Sequence, residues 1–155
     1  MKKINLAIAV SLFLLSCQFN SAKAQLQIGK IENSVPVVTA NKAALLNKYN
    51  TNLLSQSGIN GNFTDVRIVQ YDGRYFLVFS GAQFKSSLLL KAMAGSDNSA
   101  TYFYEDDNGG HVSCTTSECA SEPKGCVPSP VGLACTPCDN KGKCTKTVSA
   151  GSLLE

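Results

Sequence analysis

The sequence lacks the combinations of residues on which enzyme chemistry usually depends. Its 155 residues include no tryptophan and a single histidine, His111. No glycine-rich phosphate loop occurs, and no serine or carboxylate stands at a spacing that would pair it with His111 for nucleophilic or acid–base work. We therefore expect no catalytic residues, no cofactor and a protein that is not an enzyme.

Neither sign of charge predominates once the N-terminal segment is set aside. The whole chain has 14 Lys and Arg against 11 Asp and Glu, but three of the lysines, Lys2, Lys3 and Lys23, precede residue 25, which leaves 11 charges of each sign. Nucleic-acid binding requires a basic surface, which this balance does not provide. We expect no nucleic-acid partner.

No apolar run is long enough to span a membrane as a helix. The longest, residues 4–15, has 12 residues, whereas a transmembrane helix needs about 20. Because this run follows Met1-Lys2-Lys3, it is typical of a secretory signal.

Two processing sites compete at the end of this signal. Ala22-Lys23-Ala24 is the small-x-small pattern of ordinary cleavage, which would make residues 1–24 the signal peptide. Leu14-Leu15-Ser16-Cys17 resembles a bacterial lipobox, in which residues 1–16 are removed and Cys17 is lipidated. We expect contact with a membrane only through such a lipid anchor at Cys17.

Seven cysteines are present, and six of them crowd into residues 114–144. Either processing route removes Cys17 from the free thiols, because it is acylated or discarded. An even number of cysteines in a small exported protein predicts a disulfide framework, with about 15 complete pairings open. The six residues are Cys114, Cys119, Cys126, Cys135, Cys138 and Cys144.

The Cys-x-x-Cys pair of Cys135 and Cys138 leaves two alternatives open. The first is a zinc or iron site that Cys144, Cys126 or His111 would complete, since two-residue spacing lets both sulfurs reach one metal ion. The second is a thioredoxin-type redox pair, although such a pair normally opens a helix. Turn residues follow this one, which favours a structural role.

The spacing of apolar residues predicts one helix near the start of the mature chain. Residues 25–38 form an extended lead, and Thr39 or Asn41 can cap the helix that follows. Gly58 is well placed to end it. Three apolar side chains recur at the period of one helix face: Leu45, Tyr49 and Leu53.

From residue 63 the apolar period changes to two, which predicts strands. Asp72-Gly73 marks a two-residue hairpin turn before a strand that is apolar on both faces and therefore central. Residues 84–94 are ambiguous between helix and strand, and their alternation favours a strand. Residues 106–110 turn a further strand, 101–104, back into residues 111–114.

These elements predict an α+β fold in two parts. Residues 25–113 form a small domain, in which an N-terminal helix packs on an antiparallel β-meander of about 4–5 strands. Residues 114–155 form a disulfide-rich, turn-rich C-terminal segment. This tail has too few large apolar side chains for a core of its own, so cross-links or docking must hold it.

Several features together resemble small exported cysteine-rich proteins and lipoproteins of Bacteroidetes-type bacteria. The resemblance implies an outer-membrane lipoprotein or a periplasmic or secreted protein, and it carries over no catalytic residue. It rests on Leu14-Leu15-Ser16-Cys17, Ala22-Lys23-Ala24-Gln25, the strand pair around Asp72-Gly73-Arg74-Tyr75-Phe76-Leu77-Val78 and the terminal cysteine cluster.

The function expected from the sequence is that of an exported, non-catalytic interaction or structural module. Its partner would be a protein, a glycan or a surface. A protease inhibitor or toxin-like effector is one alternative. A metal-binding or thiol-redox protein that uses Cys135 and Cys138 is another.

Overall fold

The computed structural model describes residues 26–94, 100–104, 111–129, 134–149 and 152–154. Within these ranges the chain forms eight strands and one helix, and strand is the predominant secondary structure. The elements are β1 (Leu26–Glu32), β2 (Val35–Val38), α1 (Lys42–Ser57), β3 (Asp65–Tyr71), β4 (Arg74–Ser80), β5 (Lys85–Ala94), β6 (Ala100–Tyr104), β7 (His111–Thr116) and β8 (Thr145–Ser149).

The arrangement of these strands shows that the predicted fold class is wrong. Six strands pair in the order β2-β1-β6-β5-β4-β3, and the sheet curls until its two ends, β2 and β3, lie next to each other. The result is a nearly closed, barrel-like antiparallel sheet. It is not a helix resting on a meander of 4–5 strands, because both ends of the described chain contribute strands that the sequence pattern did not reveal.

One missed element is the hairpin of β1 and β2, which replaces the predicted extended lead. Asn33 and Ser34 form its turn with φ values of 50° and 65°. Two successive positive φ values match the twist of paired strands, but glycine normally marks such a turn. The Asn-Ser pair therefore carried no recognisable turn signal.

Helix α1 follows the sequence pattern closely. Asn41 caps it, since its side-chain oxygen accepts the backbone N–H of Ala44 at 3.0 Å. Gly58 ends it with a φ of 72° and donates its N–H to Leu54 O. The buried residues of the helix are the three predicted ones, Leu45, Tyr49 and Leu53. Across the described ranges, no helix combines the length and hydropathy needed to cross a membrane.

The strands β3 to β5 also agree with the prediction. Asp72 and Gly73 both have positive φ and join β3 to β4. Strand β4 lies between β3 and β5 and is buried on both faces, as expected for a central strand. The ambiguous segment is strand β5, which the alternation favoured.

Strand β5 is long enough to pair with two successive strands along one edge. Leu88 pairs with Ser113 of β7, and Lys91, three residues further along β5, pairs with Phe103 of β6. Residues 103 and 113 are ten positions apart in the chain, so two different strands pair with this one edge of β5. The predicted turn at residues 106–110 lies outside the described residues. The hairpin expected around it does not form, because β6 continues the sheet to β1 and β7 continues it to β8.

The interior of the curled sheet is filled by α1 and by the C-terminal residues. The ring of Tyr49 stacks on Phe79 with 3.8 Å between centroids, and its hydroxyl lies 2.6 Å from Ser86 Oγ. Leu153 and Leu154 are fully buried in the same cluster. The C-terminal segment thus contributes one strand, β8, and two core side chains to the sheet.

Burial of Tyr49 makes stability sensitive to high pH. Burial raises the pKa of Tyr49 from its ordinary value near 10 to about 12. The unfolded phenol therefore ionises first, and the free energy of unfolding falls as the pH rises from about 10 to 12, by about 1.4 kcal/mol per pH unit for this group. We expect Tyr49→Phe to reduce this fall, as measured by urea unfolding at several pH values with the disulfides intact.

Tyr102 provides an internal reference for this experiment. Burial also raises its pKa, so the Tyr49→Phe variant should keep part of the slope. The same slope in the wild type and in Tyr49→Phe would contradict the prediction.

Candidate functional site

The cysteine-rich segment forms a strap across the outer face of the sheet, opposite the core that contains α1. We define the strap as residues 117–129 and 134–144. In chain order its bridges join the first cysteine to the fourth, the second to the fifth and the third to the sixth, so every loop overlaps the other two. The pairs are Cys114–Cys135, Cys119–Cys138 and Cys126–Cys144.

The predicted disulfide framework is therefore confirmed. The paired cysteines are 18 to 21 residues apart in sequence, and a single loop of this length restricts the unfolded chain by about 3 kcal/mol in the chain-entropy description. Overlapping loops do not contribute independently. Disulfides of this kind persist outside the reducing cytosol, so they indicate a protein of an oxidising, extracellular-type environment.

The strap buries apolar side chains on the outer face of β4. Successive residues of a strand point to opposite faces, so Phe76 and Val78 point away from the core that contains Leu77 and Phe79. Val127 of the strap packs on Phe76 and Val78. This contact explains why β4 is apolar on both faces.

Lys85 fastens the strap to strand β5. Its ammonium group donates to the backbone carbonyls of Glu122 and Gly125, the latter at 2.8 Å. Only 4% of Lys85 is exposed, and burial lowers its pKa, an effect that the Glu122 carboxylate opposes. Alternation along β5 places this lysine on the face away from the core, and the strap is what buries it there.

One exposed loop of the strap is held rigid by its own hydrogen bonds. The five successive backbone N–H groups of residues 139–143 all have acceptors within the strap. The Glu122 carboxylate accepts the first two, at 2.8 and 3.1 Å. The Glu118 carboxylate accepts the last, from Lys143, at 2.9 Å. These five hydrogen bonds fix the backbone of this loop within the strap.

A groove runs along the strap where it meets the turn between β4 and β5. Residues 117–121 of the strap and residues 81–84 of the turn enclose a volume of about 720 Å³. Past Phe84 the groove continues into a hollow of about 560 Å³ between residues 58–60, which follow α1, and the end of the strap near Lys143. Both parts share Phe84, Ser117 and Glu118.

A close approach of two backbone segments positions the turn that forms one wall. Gly81 lies against the loop after α1, where an added Cβ would stand 2.9 Å from the carbonyl oxygens of Gly61 and Asn62. Gly81 also donates its N–H to Phe84 O at 2.9 Å, which closes the turn. Only glycine fits this contact without displacing the wall.

Four polar side chains around the groove have hydrogen-bonding groups that the described part of the chain does not use. Gln83, Asn60, Ser117 and Ser121 make no side-chain hydrogen bond within the part of the chain that the structure describes. The half-buried Phe84 packs partly against the main core and also lines the groove. The groove therefore combines free polar groups with one fixed aromatic ring.

The structure brings together only part of the predicted metal-ligand set, Cys135 and Cys144. Within the described ranges, two groups of ligand atoms lie within 4.8 Å of one another: Cys114, Cys135 and Cys144, and Cys119, Glu122 and Cys138. Cys135 and Cys138 fall into different groups, and His111 belongs to neither. Every sulfur in these groups is bonded in a disulfide, which lacks the thiolate that zinc binding uses.

The same bridges bear on the predicted redox pair. Cys135 is bonded to Cys114, and Cys138 is bonded to Cys119. The two cysteines therefore do not form with each other the disulfide that a Cys-x-x-Cys redox centre uses.

His111 has a neighbour that sequence spacing did not reveal. Ser149 of β8 stands directly opposite His111 of β7 in the strand register. Both residues are buried, with 8% of His111 and 3% of Ser149 exposed, and Ser149 Oγ has no hydrogen-bond partner among the described residues. Neither residue lines the groove described above.

Comparison with known proteins found no relative of this chain. No protein-family model, curated protein or solved structure matches the chain. The candidate lipidation site, Cys17, lies outside the described residues. Functional inference therefore depends on the groove and the strap.

The contact between Lys85 and the strap can be tested by removing its charge. Lys85→Met keeps most of the side-chain volume but leaves the carbonyls of Glu122 and Gly125 without their donor. A buried acceptor left unpaired costs about 1–3 kcal/mol, and we expect a loss of this size in the free energy of unfolding, measured with urea under oxidising conditions. Lys48→Met, at an exposed helix position, is the matched control.

The opposite outcome has a clear physical meaning. Burial of an ammonium group is itself costly, and replacing a buried charge by an apolar side chain stabilises some proteins. If Lys85→Met were as stable as Lys48→Met or more stable, the hydrogen bonds of Lys85 would not be what holds the strap to β5.

Proposed function

We propose that this protein is an exported, non-catalytic interaction module that binds its partner in the groove lined by Phe84. One observation carries the proposal: unengaged polar side chains converge on a groove whose strap wall is held by the Cys119–Cys138 bridge and by the backbone N–H groups of Glu118 and Cys119, which both donate to Thr116 Oγ1. A preorganised wall lowers the entropy lost on binding. Concave sites with a few convergent polar groups are the usual places where proteins bind ligands.

The chemistry of the lining supports recognition over catalysis. In the described part of the groove, Glu118 is the one carboxylate and Lys143 the one cation. Glu118 Oε2 already accepts the backbone N–H of Lys143, and His111 is not among the lining residues. Such a lining offers hydrogen bonds and an aromatic surface, which are the means of binding.

Export is the second part of the proposal. Cleavage before Gln25 would release the protein into the periplasm or the medium, whereas lipidation of Cys17 would anchor it to the outer membrane. Both routes lead out of the cytosol, which suits three disulfides. In this respect the chain fits the exported cysteine-rich proteins of Bacteroidetes-type bacteria that its sequence resembles.

The intact mass of the mature protein tests export and pairing together. We expect a chain that begins at Gln25, or one that begins at Cys17 and carries the added mass of acyl groups. Reduction should add six hydrogen atoms, two for each of the three bridges. A mature chain that kept residues 1–16 would contradict export, and a smaller gain on reduction would contradict complete pairing.

The groove is tested by titrating the ¹⁵N-labelled, oxidised protein with two panels of ligands. One panel contains neutral trisaccharides, and the other contains unstructured peptides of differing charge. We expect one of the panels to shift the amide resonances of residues 81–84 and 117–121, while exposed Gln70 on β3 stays unchanged. If neither panel shifts the groove resonances at millimolar concentration, the proposed function is wrong.

A further inference from the structure

We infer that the ligand of the groove is a neutral oligosaccharide, an inference that rests on the proposed function. Three properties of the lining indicate this class of ligand. They are a balanced charge, a surplus of side-chain hydroxyl and amide groups, and a half-buried aromatic ring.

The charge of the lining does not suit a strongly charged ligand. Glu118 and Lys143 are the charged side chains among the described residues of the groove, and their charges cancel. A polyanion would require several cations, and a basic peptide would require several carboxylates, because complementary charge governs such partners. The nearby carboxylate of Glu122 does not supply a further charge for a ligand, since it already accepts the backbone N–H groups of residues 139 and 140.

The free polar groups match the hydroxyl groups of a sugar. Gln83 and Asn60 each offer an amide that both donates and accepts, and the hydroxyls of Ser117 and Ser121 do the same. A sugar hydroxyl also donates and accepts, so each of these groups can exchange a bound water for a ligand oxygen. None of them has to break a hydrogen bond within the described chain to do so.

Phe84 supplies the apolar part of the site. Its partial packing against the core cluster holds the ring in place, and the ring lines both parts of the groove. A pyranose ring presents C–H groups on one face, and these pack on an aromatic surface while the hydroxyls point to the rim.

The construction of the groove disfavours a peptide as its ligand. An extended peptide usually binds by pairing with a free strand edge, and an amphipathic helix needs an apolar stripe. Here the walls are the turn of residues 81–84, the loop of residues 58–60, the strap and the ends of β7 and β8 at residues 115–116 and 145. Those two strand ends are already paired with each other. The large apolar side chains of the lining are limited to Ile59 and Phe84 in the described part.

Titration with maltotriose, cellotriose and chitotriose tests the inference by NMR. We expect at least one of them to shift the resonances of residues 81–84 and 117–121 with a dissociation constant of about 1 mM or lower. Gln83→Ala removes a hydrogen-bonding group and should weaken binding by about fivefold or more. Gln70→Ala, on an exposed position of β3, is the matched control and should bind as the wild type does.

Phe84 needs a conservative substitution because its ring also touches the core. Phe84→Leu retains an apolar contact with the core and removes the aromatic surface, so it should keep the fold and weaken sugar binding by about fivefold or more. Dispersed amide spectra establish that each variant is folded.

The possible outcomes separate this inference from the proposed function. If peptides shift the groove resonances and the sugars do not, the ligand class is wrong and the binding module stands. If the sugars shift other residues, or bind equally well to Gln83→Ala and Phe84→Leu, the inference is overturned. If neither panel binds, both proposals fail.

Discussion

The structure outside the core depends on one contact, in which the strap packs on the outer face of β4 and β5. Val127 packs on Phe76 and Val78, and Lys85 reaches across to two strap carbonyls. Without this contact an apolar sheet face would lie open to water. The Cys114–Cys135 bridge ties the strap directly to β7, so covalent and non-covalent contacts hold it to the sheet.

The two sides of the strap use polar groups in opposite ways. The carboxylates of Glu118 and Glu122 accept backbone N–H groups of the loop at residues 139–143, so both carboxylates are engaged within the protein. Along the groove, Ser117, Ser121 and Gln83 make no side-chain hydrogen bond to any residue in the described ranges. The first arrangement fixes the backbone of the loop, and the second leaves polar side chains exposed along the groove.

Local signals predicted the local elements well. Asn41 and Gly58 bound α1 as expected, and Asp72-Gly73 turns β3 into β4. The signals failed where pairing is long-range. Strand β8, with the sequence Thr-Lys-Thr-Val-Ser, pairs with β7 about 30 residues earlier, and β5 pairs along one edge with both β6 and β7. One local element was also missed, because the Asn33-Ser34 turn lacks the glycine that marks most such hairpins. The groove could not be predicted either, because its walls come from segments far apart in the chain.

The sequence by itself determined the helix, the central strand β4 and the even number of cysteines in residues 114–144. These depend on composition and on periods of two or four residues, which are visible in one dimension. Tertiary structure alone decided the curl of the sheet, the 1–4, 2–5, 3–6 order of the bridges, the burial of Lys85 and the pairing of His111 with Ser149. The physical reason is that strand register and disulfide choice depend on which surfaces meet.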